Sequence, residues 1–321
     1  MDNPLILILF ILGGFVLLTG GAHVLVKGAT GLAVKLKVPH LVIGLTVVAF
    51  GTSAPELLVN VVAAARGSSQ IAITNVLGSN SINTFVILGL SMLFFKLSVR
   101  SSTIRFEIPM SFLAAIAVLL LGAVLTIGQA QEISKVEGGL LLVCFVGFIG
   151  YTIRLIGKGG LDMPQEDYKP MTYGKSSAYI VVGLLALIVG AEFVVRSAVK
   201  IATAWGVAES VIGVTIVAFG TSLPELATSV MAAYKKNPDI AIGNIVGSNI
   251  FNVFFILGTS AVIRPLPSYP NLVVDALVAA LGSLLLLLFL MTGKKKILHS
   301  GHGIILLVVY AAYLAWIIST V

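Results

Sequence analysis

Two stretches decide how this chain is read: GLTVVAFGTSAPELLVNVVAAARGSSQIAITNVLGSNSINTFVILGLSML at 44–93 and GVTIVAFGTSLPELATSVMAAYKKNPDIAIGNIVGSNIFNVFFILGTSAV at 213–262. They align without a gap at a constant offset of 169 residues, with 27 identities in 50 positions. The identities include Thr, Ser, Pro, Glu and Asn, so shared apolar composition does not explain them. The chain carries an internal duplication.

Around the duplication, the composition is that of a membrane protein. Of 321 residues, 58% are apolar or aromatic and only 10% are charged, against about 25% charged in soluble domains. Too few polar side chains exist to face water. A bilayer-crossing helix takes roughly 20 apolar residues, and runs bounded by Gly, Pro or charge predict spans at 4–26, 41–65, 71–95, 104–127, 137–157, 177–200, 208–234, 239–263, 269–292 and 303–320. The expected fold class is an all-α integral membrane protein of ten transmembrane helices. The start, MDNPLILILF, has no Lys or Arg before its apolar run and reads as the first span rather than a cleaved signal.

The net charge of +7 raises nucleic-acid binding as a possibility, but no Lys/Arg run interleaves with aromatic residues as a single-strand groove requires. Sorted by alternate loops, fifteen basic residues (among them Lys27, Lys35, Lys37, Lys96, Arg100, Lys158, Lys169, Lys235 and Lys294) fall on one side and five (Arg66, Lys135, Arg196, Lys200, Arg264) on the other. The positive-inside rule puts the first set in the cytoplasm and both termini outside.

The longest loop, at 157–175, mixes Pro, Gly and both charge signs, and divides the chain into 1–157, a cytoplasmic linker at 158–176, and 177–321. Five spans per half is an odd number, so the second half inserts upside down. Lys27 and its repeat partner Arg196 then lie on opposite faces. Two inverted five-helix repeats are a device of secondary transporters, with the substrate site near mid-membrane.

Most acidic residues sit in loops or near span ends. Glu56 and Glu225, repeat equivalents of each other, sit near span centres, where a carboxylate costs at least a few kcal/mol and is functional by default. No basic residue occupies a span core to pair with them. Pro55 and Pro224 each remove a helical hydrogen bond, freeing carbonyls around Gly51 and Gly220, which membranes tolerate only beside a polar cavity. Thr52, Ser53 and Glu56 are expected on one helix face, as are Thr221, Ser222 and Glu225. Ser79 with Asn83, and Ser248 with Asn252, add hydroxyl and amide oxygens at i, i+4 spacing. Gly78, Gly247, Asn80 and Asn249 read chiefly as packing residues. A cage of carboxylate, hydroxyl, amide and carbonyl oxygens suits a hard cation such as Ca²⁺, which takes six to eight oxygens.

The other candidates are quieter. His23, His40, His299 and His302 lie near span ends or in loops and form no transition-metal set. Cys144 sits in an apolar run and reads as packing. Glu192 has Arg196 at i+4 and reads as an external surface ion pair. Asp275, placed about two turns into its span, is assigned no role.

The combination of GTSAPE at 51–56 with GSNSIN at 78–83, and GTSLPE at 220–225 with GSNIFN at 247–252, resembles the two α-repeats of the sodium/calcium exchanger family, within the calcium/cation antiporter superfamily. The absence of a large regulatory loop resembles its prokaryotic type. The resemblance implies that Thr52, Ser53, Glu56, Ser79, Asn83, Thr221, Ser222, Glu225, Ser248 and Asn252 supply cation ligands. It also implies backbone carbonyls at Ala49 and Ala218 as ligands for sodium, and gating roles for the spans at 4–26 and 177–200. Potassium-dependent members place Asp in a GSN-type helix. This chain has Asn at both 83 and 252, leaving two carboxylates and arguing against potassium co-transport.

The expected function is therefore a secondary active antiporter, not an enzyme, exchanging Ca²⁺ for Na⁺ by alternating access in the cell membrane. The alternatives are Ca²⁺/H⁺ antiport on the same fold and, in another class, a passive cation channel or a non-transporting scaffold. No cofactor, nucleic acid or protein partner is implied, only the transported ions and membrane lipid.

Overall fold

The computed structural model describes residues 4–67, 69–124, 132–157, 171–206, 218–292 and 296–320. Among them, eight helices are long and apolar enough to cross a membrane, and a ninth candidate is a bent pair. In chain order the helices are α1 (Pro4–Leu36), α2 (His40–Thr52), α3 (Ala54–Arg66), α4 (Ile71–Phe94), α5 (Thr103–Ala123), α6 (Lys135–Gly157), α7 (Tyr173–Ala204), α8 (Ala218–Thr221), α9 (Leu223–Tyr234), α10 (Pro238–Ile263), α11 (Leu272–Thr292) and α12 (Ser300–Thr320). Part of the span expected at 208–234 and most of the linker at 158–176 lie outside the described residues.

Two helices outrun their expected lengths. The spans read at 4–26 and 177–200 are helices of 33 and 32 residues, about 50 Å long at 1.5 Å per residue. Lys27, Lys35 and Lys175, counted as loop residues, therefore sit on helix. A charged head on a long stem does not end a helix, because it reaches water while its methylenes cover apolar surface. Here the lysines lie over aromatic rings: Lys27 over Tyr179 and Lys35 over Tyr173, both on the facing helix, and Lys175 over Tyr179 of its own helix at i+4.

The two long helices cross antiparallel on a seam of small residues spaced by seven. A Cβ on Gly14 would stand 2.7 Å from the Gly190 carbonyl, one on Gly21 2.9 Å from that of Gly183, and one on Gly28 2.9 Å from that of Ser176. Backbone therefore rests on backbone, which only small residues permit.

The centre of the fold is formed by α4 and α10, whose most apolar windows are 78% and 94% buried, against 28% for α1 and α7 and 11% for α12. Gly247 lets α10 touch α2, since a Cβ there would meet the Leu45 Cα at 2.8 Å. Gly78 has none of the described residues within 4 Å of such a Cβ. Cys144 lies on an exposed face of α6 rather than in the packed interior, as suits a small apolar side chain solvated by lipid.

Short strands join distant loops. β1 (Leu97–Ser98) pairs antiparallel with a strand at Ile297–Leu298 (β4), with Leu97 opposite Leu298. Between them in sequence, β2 (Glu132–Ile133) pairs with β3 (Leu266–Pro267). Each pairing ties one half of the chain to the other.

Candidate cation site

The span read at 41–65 is not one helix. It breaks at Ser53 (φ −82°, ψ 9°), and α2 and α3 meet at 48°. Ser222 repeats the break (φ −87°, ψ 4°) between α8 and α9. Pro55 and Pro224 lie in the first turn of α3 and α9, where a missing N–H costs nothing. The prolines thus start new helices instead of notching continuous ones. Glu56 and Glu225 fall in those same first turns, and the positive end of each helix dipole favours a carboxylate there.

The break overturns one expectation. Thr52 and Ser53 do not share a continuous helix face with Glu56, because the chain turns between them. Their hydroxyls serve the other half instead. Ser53 Oγ donates to Glu225 Oε1 at 2.9 Å, and Ser222 Oγ to Glu56 Oε1 at 3.5 Å. Ser248 Oγ adds a third bond, to Glu225 Oε1 at 3.4 Å. Thr52 also faces Glu225, and Thr221 faces Glu56. The two copies are interleaved at their centre, each carboxylate taking a hydroxyl from the opposite repeat and Glu225 a further one from Ser248 of its own.

Of the ten side chains expected as ligands, Thr52, Ser53, Glu56, Ser79, Asn83, Ser222, Glu225, Ser248 and Asn252 are at most 1% exposed; Thr221 is half-buried. The two carboxylates are near enough to repel one another. Neither joins an ion pair among the described residues; Arg100–Asp239 and Arg196–Glu192 are ion pairs elsewhere, the second being the exposed pair read from i+4 spacing. Ala49, expected to contribute its carbonyl, accepts the Ser53 N–H at 3.0 Å and lies 3.3 Å from the Thr52 hydroxyl. Ala218 opens α8.

Asn83 and Asn252 each begin or lie within a π-helical turn, 82–87 and 252–257, a local widening frequent at functional sites. Their amides are braced in mirror fashion: Asn83 Nδ2 donates to Asn249 Oδ1 at 3.1 Å, and Asn252 Nδ2 to Asn80 Oδ1 at 3.0 Å. The braces are braced in turn, Asn249 Nδ2 donating to Thr84 Oγ1 at 2.8 Å and Asn80 Nδ2 to the Asn249 carbonyl at 3.1 Å. Both N–H ends being used, Asn83 Oδ1 and Asn252 Oδ1 are left without partners. So are Glu56 Oε2, Glu225 Oε2 and Ser79 Oγ. A buried polar atom without a partner costs about 1–3 kcal/mol, and five acceptor-capable oxygens from the two duplicated motifs carry that cost together. No cluster of three or more His, Cys, Asp or Glu occurs among the described residues, so soft or imidazole-rich ligation is not what this donor set offers.

Several residues were missed. Asn80 and Asn249, read as packing, orient the amides beside them. Asn244 Oδ1 lies 3.1 Å from the Thr52 hydroxyl, and its Nδ2 donates to Ser229 Oγ at 3.0 Å. Asn60 Nδ2 donates to the Glu56 carbonyl at 2.9 Å. A signal existed: Asn60 and Ser229 are repeat partners four residues after the two glutamates, and Asn244 is the partner of Asn75. Two further buried acids take hydrogen bonds from tyrosines, although Glu107 Oε2 is left without a partner. Glu107 accepts from the Tyr151 hydroxyl at 2.6 Å, and Asp275 from Tyr269 and Tyr313 at 2.5 and 2.8 Å. Asp275 lies in the first turn of α11 rather than two turns in, because that helix begins at Leu272, later than the apolar run.

Comparison with known proteins agrees with this arrangement. A family model described as sodium/calcium exchanger protein matches residues 6–154 and 175–319. The sodium/calcium exchanger MaX1 of Methanosarcina acetivorans is 32% identical, the match covering 95% of this chain and 97% of that one. The inner membrane protein YrbG of Escherichia coli is 36% identical over 78% of each. A solved structure of the sodium-calcium exchanger NCX_Mj, soaked with Na⁺ and Ca²⁺, superposes with a TM-score of 0.82 at 31% identity, over 97% of this chain and 98% of that one. Motif, site and whole-chain similarity converge: the chain belongs to the sodium/calcium exchanger protein family.

Proposed function

We propose that this protein is a secondary antiporter exchanging Ca²⁺ for Na⁺ across the cell membrane. Membership in the exchanger family supports a cation antiporter with calcium as a substrate. The observation that carries the fuller reading is the set of unpartnered oxygens on Glu56, Glu225, Ser79, Asn83 and Asn252, buried together without a basic residue. These side chains, with Thr52, Ser53, Thr221, Ser222, Ser248 and the carbonyls of Ala49 and Ala218, form the ligand set.

The architecture in this proposal is ten transmembrane helices in two inverted repeats, 1–157 and 177–321, joined by a cytoplasmic linker at 158–176, with both termini outside. Support for the inversion comes from the loop pairings. β1 and β4 join two loops of the lysine-rich set, whereas β2 and β3 join loops of the other set. An even number of expected spans separates the members of each pair, six for β1 and β4 and four for β2 and β3, and contacts of this kind between non-equivalent loops are what two oppositely facing halves would make.

The chemistry follows from charge. Two carboxylates neutralise one Ca²⁺ or two Na⁺, so either load makes the cage tolerable in a low-dielectric interior, and neither fits while the other is present. An unloaded cage holds two repelling charges away from water, at a cost of several kcal/mol each before relaxation. Reorientation therefore proceeds with a load, which is what makes exchange obligatory. At three Na⁺ per Ca²⁺ the sodium-loaded form carries a net positive charge and the calcium-loaded form none. Membrane potential then drives the sodium limb with about 2.3 kcal/mol per 100 mV. Proton coupling is the second reading, favoured by the repulsion between the two carboxylates, which a proton on either one relieves.

The test is calcium flux into proteoliposomes under separately imposed Na⁺, K⁺ and H⁺ gradients. Uptake driven by an outward Na⁺ gradient, unaffected by K⁺ and accelerated by an inside-positive potential, because one net positive charge leaves the vesicle per Ca²⁺ entering, is the expected result. Uptake driven by a pH gradient alone selects proton coupling, and flux without any countergradient overturns antiport.

A further inference from the structure

Outside the cation cage, a groove of about 480 Å³ opens on the lipid-facing surface where α1 and the end of α4 both lean on α9. Its walls are almost all carbon, with Phe15 and Leu18 of α1, Leu90 and Phe94 of α4, and Leu226 and Val230 of α9. Ordered water needs two to four polar partners, and beside Tyr234 these walls offer only Thr19, whose hydroxyl already donates to the Phe15 carbonyl at 2.8 Å.

At one end the groove runs into a second depression of about 440 Å³, which shares Phe94 and Phe95 with it. The chemistry changes there to Lys96, Lys236 and Ser98. Both lysines are exposed and neither joins an ion pair among the described residues. Beside them Lys235 donates to the His23 carbonyl of α1 at 2.9 Å. Burial, and then the neighbouring charge of Lys27, hold that ammonium down at about 8. Charge of one sign is thus gathered at the mouth of an apolar trough, at the end of α4 and α9 that carries the lysine-rich loops.

An occupant that satisfies both parts must have a long apolar chain ending in an anion. A soluble anion has no use for the trough, and a neutral lipid none for the lysines. Basic pockets between transmembrane helices at the cytoplasmic face suit acidic lipid headgroups. We infer that this continuous groove binds an anionic phospholipid, one acyl chain lying along Phe15, Leu90 and Val230 and the phosphate between Lys96 and Lys236. The occupant separates α1 from α4 while both still touch α9, so it bears on a long peripheral helix without entering the cage. The inference depends on the chain being embedded in a bilayer and not on which ions it exchanges.

Native mass spectrometry of the full-length protein in detergent, titrated with dioleoyl-phosphatidylglycerol or dioleoyl-phosphatidylcholine, tests it. The wild type is expected to bind the phosphatidylglycerol at least tenfold more tightly. The double variant Lys96→Gln, Lys236→Asn should weaken that binding about thirtyfold, or about 2 kcal/mol, while phosphatidylcholine binding is unchanged, which also shows that the variant is folded. Asn is chosen at 236 because the backbone there is left-handed (φ 56°), a conformation Asn tolerates. Val230→Trp, which fills the trough, should weaken both lipids, and glycerol 3-phosphate alone should not bind. Equal affinity of the wild type for the two lipids, or an unchanged phosphatidylglycerol affinity in either variant, overturns the proposal.

Discussion

Asn249 contacts no proposed cation ligand except through its amide, yet its removal should be felt at the cation. In the structure its Oδ1 accepts from Asn83 and its Nδ2 donates to Thr84, at 3.1 and 2.8 Å. Asn249→Ala strands the Asn83 amide N–H group, 0% exposed, and deprives the Thr84 hydroxyl, 1% exposed, of its donor. At about 1–3 kcal/mol for each unsatisfied group, stability falls by about 2–6 kcal/mol. The functional effect is separable. Without its brace the Asn83 side chain can turn, and Oδ1 is no longer aimed at the cage. Loss of such an outer support costs about 10–100-fold in metal affinity, so the calcium concentration for half-maximal uptake in proteoliposomes should rise by that factor. Ser91→Ala is the control: its hydroxyl is equally buried but donates only to the Ile87 carbonyl of its own helix at 2.8 Å. It should lose some stability and leave calcium affinity alone. The reasoning is refuted if Asn249→Ala keeps wild-type affinity, or if Ser91→Ala loses as much.

Glu56→Gln and Glu225→Gln should each reduce sodium-driven calcium uptake at least about a hundredfold, since stranding a buried charge costs 3–5 kcal/mol; isotope uptake at saturating calcium checks this, and a residual rate above a tenth contradicts it. Gly183→Leu should separate α1 from α7, because even a Cβ would sit 2.7 Å from the Leu25 nitrogen, whereas Gly20→Ala, with nothing within 4 Å, should be neutral or gain up to about 1 kcal/mol. Thermal unfolding in detergent compares them, and equal melting points refute the seam. In a Cys144→Ser background, Ser98→Cys with Ile297→Cys, which are register partners in the β1–β4 pair, should cross-link under mild oxidation. In inside-out vesicles these thiols should react with an impermeant reagent, and in intact cells they should not. Labelling from outside would reverse the proposed orientation.

Much of this was legible before any coordinates. The duplication brought forward Glu56 and Glu225 and the serines and asparagines of both GSN motifs, because a polar residue kept twice inside apolar sequence has few explanations. Three features were not legible. The exchange of hydroxyls between copies depends on the break at Ser53 and Ser222, and i, i+4 arithmetic assumes an unbroken helix. The bracing by Asn80 and Asn249 depends on which helix lies opposite, which a single sequence does not state. The true ends of α1 and α7 were hidden because lysine signals a loop to a composition count, although its stem lies comfortably on helix. Gly14, Gly21 and Gly28 were in plain view as a heptad, but only the facing Gly190, Gly183 and Ser176 give that spacing meaning.

The strand pairings also bear on how the protein is made. Leu97 finds its partner only at Leu298, and Ser53 meets Glu225 across 172 residues. At about 5–20 residues per second, at least about 10 s of synthesis separates β1 from β4. Until Ser222 is made, 166 residues after Glu56, the first repeat holds Glu56 in the bilayer without the hydroxyl that later binds it. The first half of the chain is therefore an intermediate that cannot finish on its own, and folding of this protein closes at its last hairpin, when α12 enters the membrane.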